Sequence, residues 1–173
     1  MNTTLVPTLR PFTLADSTSI AKYANNRDVS KNLRDAFPFP YSDTDALQFI
    51  MSVINSNPST IYAIDVNGEA IGAAGITLKD DVYTGNGEIG YWIGKAFWGK
   101  GISTVAVTEL KKIAFNELGL YRIYAEIFQN NIASMRVLEK NGFVREATLA
   151  KAITKDGVKL DLCIYSMINP KKL

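Results

Sequence analysis

The residues that could do chemistry gather between Gly87 and Leu118. A β-branched and aromatic run, Gly87-Glu88-Ile89-Gly90-Tyr91-Trp92-Ile93, enters a loop, Gly94-Lys95-Ala96-Phe97-Trp98-Gly99-Lys100-Gly101, and the loop opens a helical pattern at Ile102-Ser103. Glycines at 99 and 101 let the backbone curl so that successive N–H groups point one way. The first helical turn adds amides without a carbonyl partner and the positive end of the helix dipole. The product is an anion-binding mouth suited to phosphate. Lys100 sits inside it; Arg136 and Lys140 are further cations for a phosphate, or simply solvated. Glu88 is a candidate general base acting through water, or else a strand-end carboxylate, solvated or paired with Arg or Lys. Alternation puts Glu88, Gly90 and Trp92 on one sheet face. Asn131 and Ser134, three apart, share a helix face and either meet a ligand or cap the helix.

The loop Gly94–Gly101 comes close to the nucleotide-binding pattern G-x-x-x-x-G-K-S/T, but Gly101 replaces the hydroxyl that should hold magnesium. No later acidic strand end is available for that metal. The other reading needs no metal: glycine amides alone hold a pyrophosphate.

Composition narrows the classes. The chain has 173 residues, 47% apolar and 21% charged, which suits one domain spanning 1–173 with a sizeable core. The absence of His excludes His-based triads and His metal sites, and the single Cys163 forms no internal disulfide. A net charge of +2 does not argue for nucleic acid. No basic and apolar leader and no apolar run of about 18 residues is present. A cytoplasmic protein without membrane or nucleic-acid partners is expected.

The elements that must position these residues follow from pattern. Leu5–Phe12 alternates, and Pro7 and Pro11 demote it to an edge strand. A helix follows Thr13 or Asp16, and a short one covers Asp28–Leu33. Phe37-Pro38-Phe39-Pro40-Tyr41 cannot be helix interior. Its three aromatics line an acceptor pocket or form a hydrophobic lid. Ser42 opens a helix that Asn57-Pro58-Ser59 stops. Strands span 60–66 and 70–78 across an Asn67-Gly68 turn, and 86–93 follows a polar link. The helix after the glycine loop ends near Gly119. A strand at 121–128, a helix at 130–140 and a hairpin of 143–154 with 158–168 complete the chain. The order β-α-α-β-β-β-α-β-α-β-β gives an α+β fold, a mixed, mostly antiparallel sheet of about seven strands flanked by helices on both faces.

Trp98-Gly99-Lys100-Gly101-Ile102-Ser103 resembles motif A, Q/R-x-x-G-x-G/A, of the GNAT N-acetyltransferase superfamily, with Trp98 standing for Gln or Arg and Ser103 for Gly or Ala. The phrase Phe97-Trp98-Gly99-Lys100-Gly101 is usual in the branch resembling the ribosomal-protein N-terminal (RimJ/RimL-like) acetyltransferases. Leu9-Arg10-Pro11-Phe12 with Leu14-Ala15-Asp16 resembles that branch's opening, and Glu88–Ile93 its central strand. Asn131-Ile132-Ala133-Ser134 with Val137–Phe143 resembles its last helix. The pieces span residues 9–168.

The resemblance implies acetyl transfer from acetyl-coenzyme A to a primary amine by direct attack, on a sheet splayed after the strand at 86–93. The amides of Gly99, Gly101, Ile102 and Ser103 would bind the pyrophosphate, with Lys100 on the phosphates; Trp98 belongs to the cofactor-binding set or simply wedges the loop against the sheet. Backbone groups of Tyr91, Trp92 and Ile93 would pair with the pantetheine arm, and the N–H of Trp92 or Ile93 would donate to the oxyanion. Asn131 would touch the arm and Ser134 would lie near the sulfur. Many members carry a Tyr acid where this chain has Leu138, which cannot donate a proton; the acid is then Ser134, Tyr91 or water. Glu88 would serve the acceptor as base. The branch points to a protein N-terminal α-amine, with polyamines, aminoglycosides and amino acids as alternative acceptors. A module that holds coenzyme A without chemistry is the alternative of another class. A homodimer through a helix or sheet edge fits the reading.

Overall fold

The computed structural model describes residues 6–172. The chain divides into two compact units, Met1–Gly75 with Tyr91–Ala106, and Ile76–Gly90 with Val107–Leu173. Seven strands form a sheet in the order β1-β2-β3-β4-β5-β7-β6. They are β1 (Thr8–Arg10), β2 (Ile61–Val66), β3 (Glu69–Leu78), β4 (Asn86–Ile93), β5 (Arg122–Phe128), β6 (Val144–Lys155) and β7 (Val158–Ile168). The helices are α1 (Ser17–Ala24), α2 (Arg27–Ser30), α3 (Asp43–Ile54), α4 (Ile102–Lys112) and α5 (Ile132–Lys140). The pairs β1–β2, β2–β3, β5–β7 and β6–β7 are antiparallel. The β4–β5 pair is parallel, at Asn86↔Arg122, Gly87↔Ile123 and Glu88↔Tyr124. A parallel pair needs a crossover, and α4 lies in that connection.

Local chemistry explains most boundaries. Two prolines leave β1 only three residues, at one end of the sheet; Leu5, expected to open it, lies outside the described residues. Ser42 and Asp45 form a capping box that starts α3. Asn67-Gly68 and Asp156-Gly157 take positive φ and make tight hairpin turns. The expected helix at 28–33 is a single turn, α2. The expected helix up to Gly119 is α4 followed by a π-helical turn, Ile113–Glu117, and Gly119 then reverses the chain at φ 61°. β6 departs from a plain hairpin arm, with register shifts between Arg145 and Ala147 and between Leu149 and Ile153.

In the first unit α1 and α3 pack together, and Phe12, Ile20, Ile50 and Val53 form a core with Tyr41. In the second, Ile123, Leu138 and Tyr165 are fully buried. Arg10 knits the first unit across sequence distance. It grips both Asp16 oxygens, at 2.7 and 2.8 Å, and its Nε donates to Asp65 at 2.8 Å. Asp65 in turn accepts from the Gly68 amide in the β2–β3 turn.

Burial alone would raise the Asp16 carboxyl, but the Arg10 and Thr13 hydrogen bonds outweigh it and hold it below its ordinary 3.8. A depressed carboxylate contributes stability that is complete above its unfolded pKa and lost as pH falls through the folded one. Urea melts at about pH 7 and about pH 3 should therefore differ more for the native protein than for Arg10→Met, which removes the partner. Equal differences would show that the junction is not what acid disrupts.

Candidate functional site

The first unit carries the glycine loop. Gly94 N–H donates to Ile71 O at 2.8 Å, which binds the end of β4 to β3. A 3-10 turn, Lys95–Phe97, follows, and the Trp98 indole N–H reaches back to Ile93 O at 3.0 Å. Trp98 thus wedges the loop against its strand, the simpler of its two readings. Gly99 and Gly101 take φ of 74° and 78°, a region that L side chains rarely adopt. A Cβ added at either would meet nothing within 4 Å, so conformation, not crowding, demands glycine, and the space before the loop is open. Val105 N–H donates to Gly101 O as α4 begins, while the buried Ile102 anchors the turn and Gly99, Lys100 and Gly101 stay exposed. In the first α-helical turn the amides have no carbonyl four residues back within the helix. An open cradle of curled backbone at a helix start fits a pyrophosphate.

Neighbouring side chains fix the loop. The Tyr23 ring packs edge-on against Phe97 at 5.2 Å, and Lys95 pairs with Asp28 at 2.6 Å. Lys31 and then Lys95 hold the Asp28 carboxyl down to about 2. Lys100 Nζ lies 5.5 Å from the Phe97 ring centre. Phe37 packs on Trp92 at 5.3 Å and on Tyr41 at 4.8 Å. Tyr41 is a core residue, its hydroxyl pushed up to about 12 by burial and then by the Asp45 charge. Phe39 is exposed beneath the Arg27 guanidinium. Of the three loop aromatics, Phe37 and Tyr41 are therefore brought to β4 or the core, and Phe39 faces solvent.

A side chain at 101 must enter the left-handed region and the open cradle together. Gly101→Val should cost about 1–2 kcal/mol in stability and weaken phosphate-ligand affinity more than tenfold, roughly. Calorimetric titration of acetyl-coenzyme A into the variant measures it; unchanged affinity would remove the loop from the site.

The second unit carries the candidate base. Glu88, with a side chain 15% exposed, accepts from Lys79 Nζ at 2.8 Å. Lys79 is raised above its ordinary value chiefly by that hydrogen bond, against the opposing effect of burial, so it is an ammonium at neutral pH. Its Nζ also lies 5.7 Å from the ring centre of Tyr124, the residue opposite Glu88 in the parallel pair. Lys79 and Tyr124 were missed by sequence reasoning. The signal existed: a lysine directly follows β3 and a carboxylate lies near the start of β4 across a short polar link, within reach of each other.

Asn131 is the N-cap of α5, its Oδ1 accepting from Ser134 N at 3.3 Å. The capping alternative is therefore the one the geometry shows. Leu138 is fully buried in the core. Among the described residues no group of three Cys, Asp or Glu could hold a metal ion. Among them, too, no helix is long and apolar enough to cross a membrane.

Comparison with known proteins agrees with this geometry. Residues 8–144 match the family model of the acetyltransferase (GNAT) domain. An uncharacterized N-acetyltransferase, p20, of Bacillus licheniformis is 29% identical over 167 residues, 93% of this chain and 92% of that protein. The microcin C7 self-immunity acetyltransferase MccE, solved with acetyl-CoA and AMP, superposes with a TM-score of 0.80 at 26% identity, covering 94% of this chain and 92% of MccE. Mycobacterium smegmatis RimJ, solved with CoA-disulfide, reaches 0.86 at 21% identity over 97% of this chain and 84% of RimJ, a likeness of fold. The seven-stranded, mostly antiparallel sheet is the one these neighbours share. The chain belongs to the GNAT acetyltransferase family.

Proposed function

We propose that residues 1–173 form a single acetyltransferase domain, cytoplasmic, that moves an acetyl group from acetyl-CoA to a primary amine by direct attack, with a protein N-terminal α-amine as acceptor. The observation that carries the reading is the pair of left-handed glycines, Gly99 and Gly101, immediately before α4. RimJ, solved with CoA-disulfide, and MccE, solved with acetyl-CoA and AMP, support the co-substrate. An α-amine, with a pKa of about 8, is roughly one-tenth neutral at pH 7, so it needs less help than a lysine side chain. In the proposed step the neutral nitrogen bonds the thioester carbon, the C–S bond breaks, and the amine's proton leaves through water to Glu88. The thiolate takes a proton from Ser134, Tyr91 or water. Amides at 99–103 and Lys100 take the phosphates, the backbone of Tyr91, Trp92 and Ile93 takes the pantetheine arm, and Asn131 supports it. Polyamines, aminoglycosides and amino acids are the alternative acceptors.

The Glu88–Lys79 pair and the buried Leu138 favour one second reading, a module that binds coenzyme A without turnover. Melting the protein with acetyl-CoA, and separately with ATP and magnesium, tests the co-substrate first. Ligand at about 100 times its Kd adds about 2.7 kcal/mol. For this size that is roughly 5–10 °C. A shift with acetyl-CoA alone is expected; a shift with nucleotide and magnesium alone would overturn the transferase reading. Thiol release with amine acceptors then separates enzyme from module.

A further inference from the structure

We propose that Lys79 occupies, against Glu88, the place that an acceptor ammonium takes, and that the preferred acceptors carry an acidic group close to the reacting amine. The inference rests on the reading of Glu88 as the base.

Lys79 and Glu88 form a pair at 2.8 Å with side chains 29% and 15% exposed. A second cation approaching Glu88 must displace Lys79 or crowd it. The ring of Tyr124 carries two cations, Lys79 at 5.7 Å and Arg122 at 4.9 Å. Glu88 pairs with Lys79, and Glu146 with Arg122. These two pairs balance only while Lys79 keeps Glu88. Once an acceptor ammonium takes Glu88, Lys79 loses that anion while sharing the Tyr124 ring with Arg122. An acceptor that brings a carboxylate supplies it; one that brings further positive charge adds repulsion in a half-buried place. Asp80 and Asp81 follow Lys79 in sequence but are exposed, where water and salt screen them. Charge balance therefore selects an α-amine with a nearby acidic group over a polyamine or aminoglycoside, by repulsion as much as by attraction.

The test uses the full chain, acetyl-CoA and three short peptides beginning with alanine and carrying aspartate, alanine or lysine second. For the native enzyme KM should rise in that order, with roughly a fivefold difference between the ends. Lys79→Met should lower KM for the neutral peptide and collapse the order, while Lys79→Arg keeps it. The acetyl-CoA KM serves as internal reference. Where Lys79→Met melts early, Lys79→Gln carries the comparison. Equal KM values in the native enzyme, turnover of none of the peptides, or an order that survives loss of the Lys79 charge would overturn the inference. Glu88→Gln is run beside them. Retained kcat there would sink the base reading and this inference with it. Lost kcat there, with an order that Lys79→Met leaves intact, would sink this inference alone.

Discussion

Glu88→Gln should lower kcat for acetyl transfer by about a hundredfold or more, the usual worth of a positioned base. Glutamine keeps the shape of the side chain and can still accept from Lys79, so the β3–β4 end should hold and the melting point should stay close to that of the native protein. What the amide loses is the ability to take a proton from the attacking amine or its relay water. The acetyl-CoA affinity should be unchanged, because the phosphate cradle is built by other residues, in the loop before α4. Steady-state thiol release with saturating acetyl-CoA measures the effect. Raising pH should recover part of the loss, since more acceptor arrives already neutral. Unchanged kcat at neutral pH would assign proton removal to bulk water and leave Glu88 as Lys79's partner only.

Gly72→Val should unfold the first unit or destabilise it by about 3 kcal/mol or more. A Cβ at Gly72 would fall 2.1 Å from the Trp92 carbonyl oxygen and 2.8 Å from the Ile93 Cα. Both are backbone atoms of β4, so no rotamer change relieves the overlap; the strands must part. The same parting would disturb Tyr91–Ile93, the segment proposed for the pantetheine arm, and acetyl-CoA binding should fall with stability. Thermal melting of Gly72→Ala and Gly72→Val checks the steric account, because even the smaller side chain carries the offending Cβ. A native-like melting point for both would show that β3 and β4 have slack there.

What the sequence made legible was local. The glycine loop, the Asn67-Gly68 and Asp156-Gly157 turns and the Ser42–Asp45 cap all declare themselves, because few residue types adopt positive φ or cap a helix. Pro7 and Pro11 marked β1 as an edge because proline has no N–H to give to a ladder. What stayed hidden depends on register and distance. Arg10 meets Asp65, a partner 55 positions away, only once β1 lies on β2. Lys79 meets Glu88 only once the polar link brings the two within reach. Glycine at 72 carries no turn signal; its necessity comes from how closely β4 approaches. The π-helical turn after α4 has no residue signature beyond ordinary helix formers. Tyr41 read as a candidate pocket aromatic because its loop is rich in proline, yet its ring completes the core.

The placement of Trp98 has an optical consequence. The chain contains two tryptophans, and both belong to the strand end and loop described above: Trp92 half-buried against Phe37, and Trp98 partly exposed with its indole N–H bound to Ile93. Excited at the red edge, where tyrosine does not absorb, the protein emits from this segment alone. Its emission is a label-free gauge of the mouth, with one fluorophore in a packed setting and the other at the water boundary.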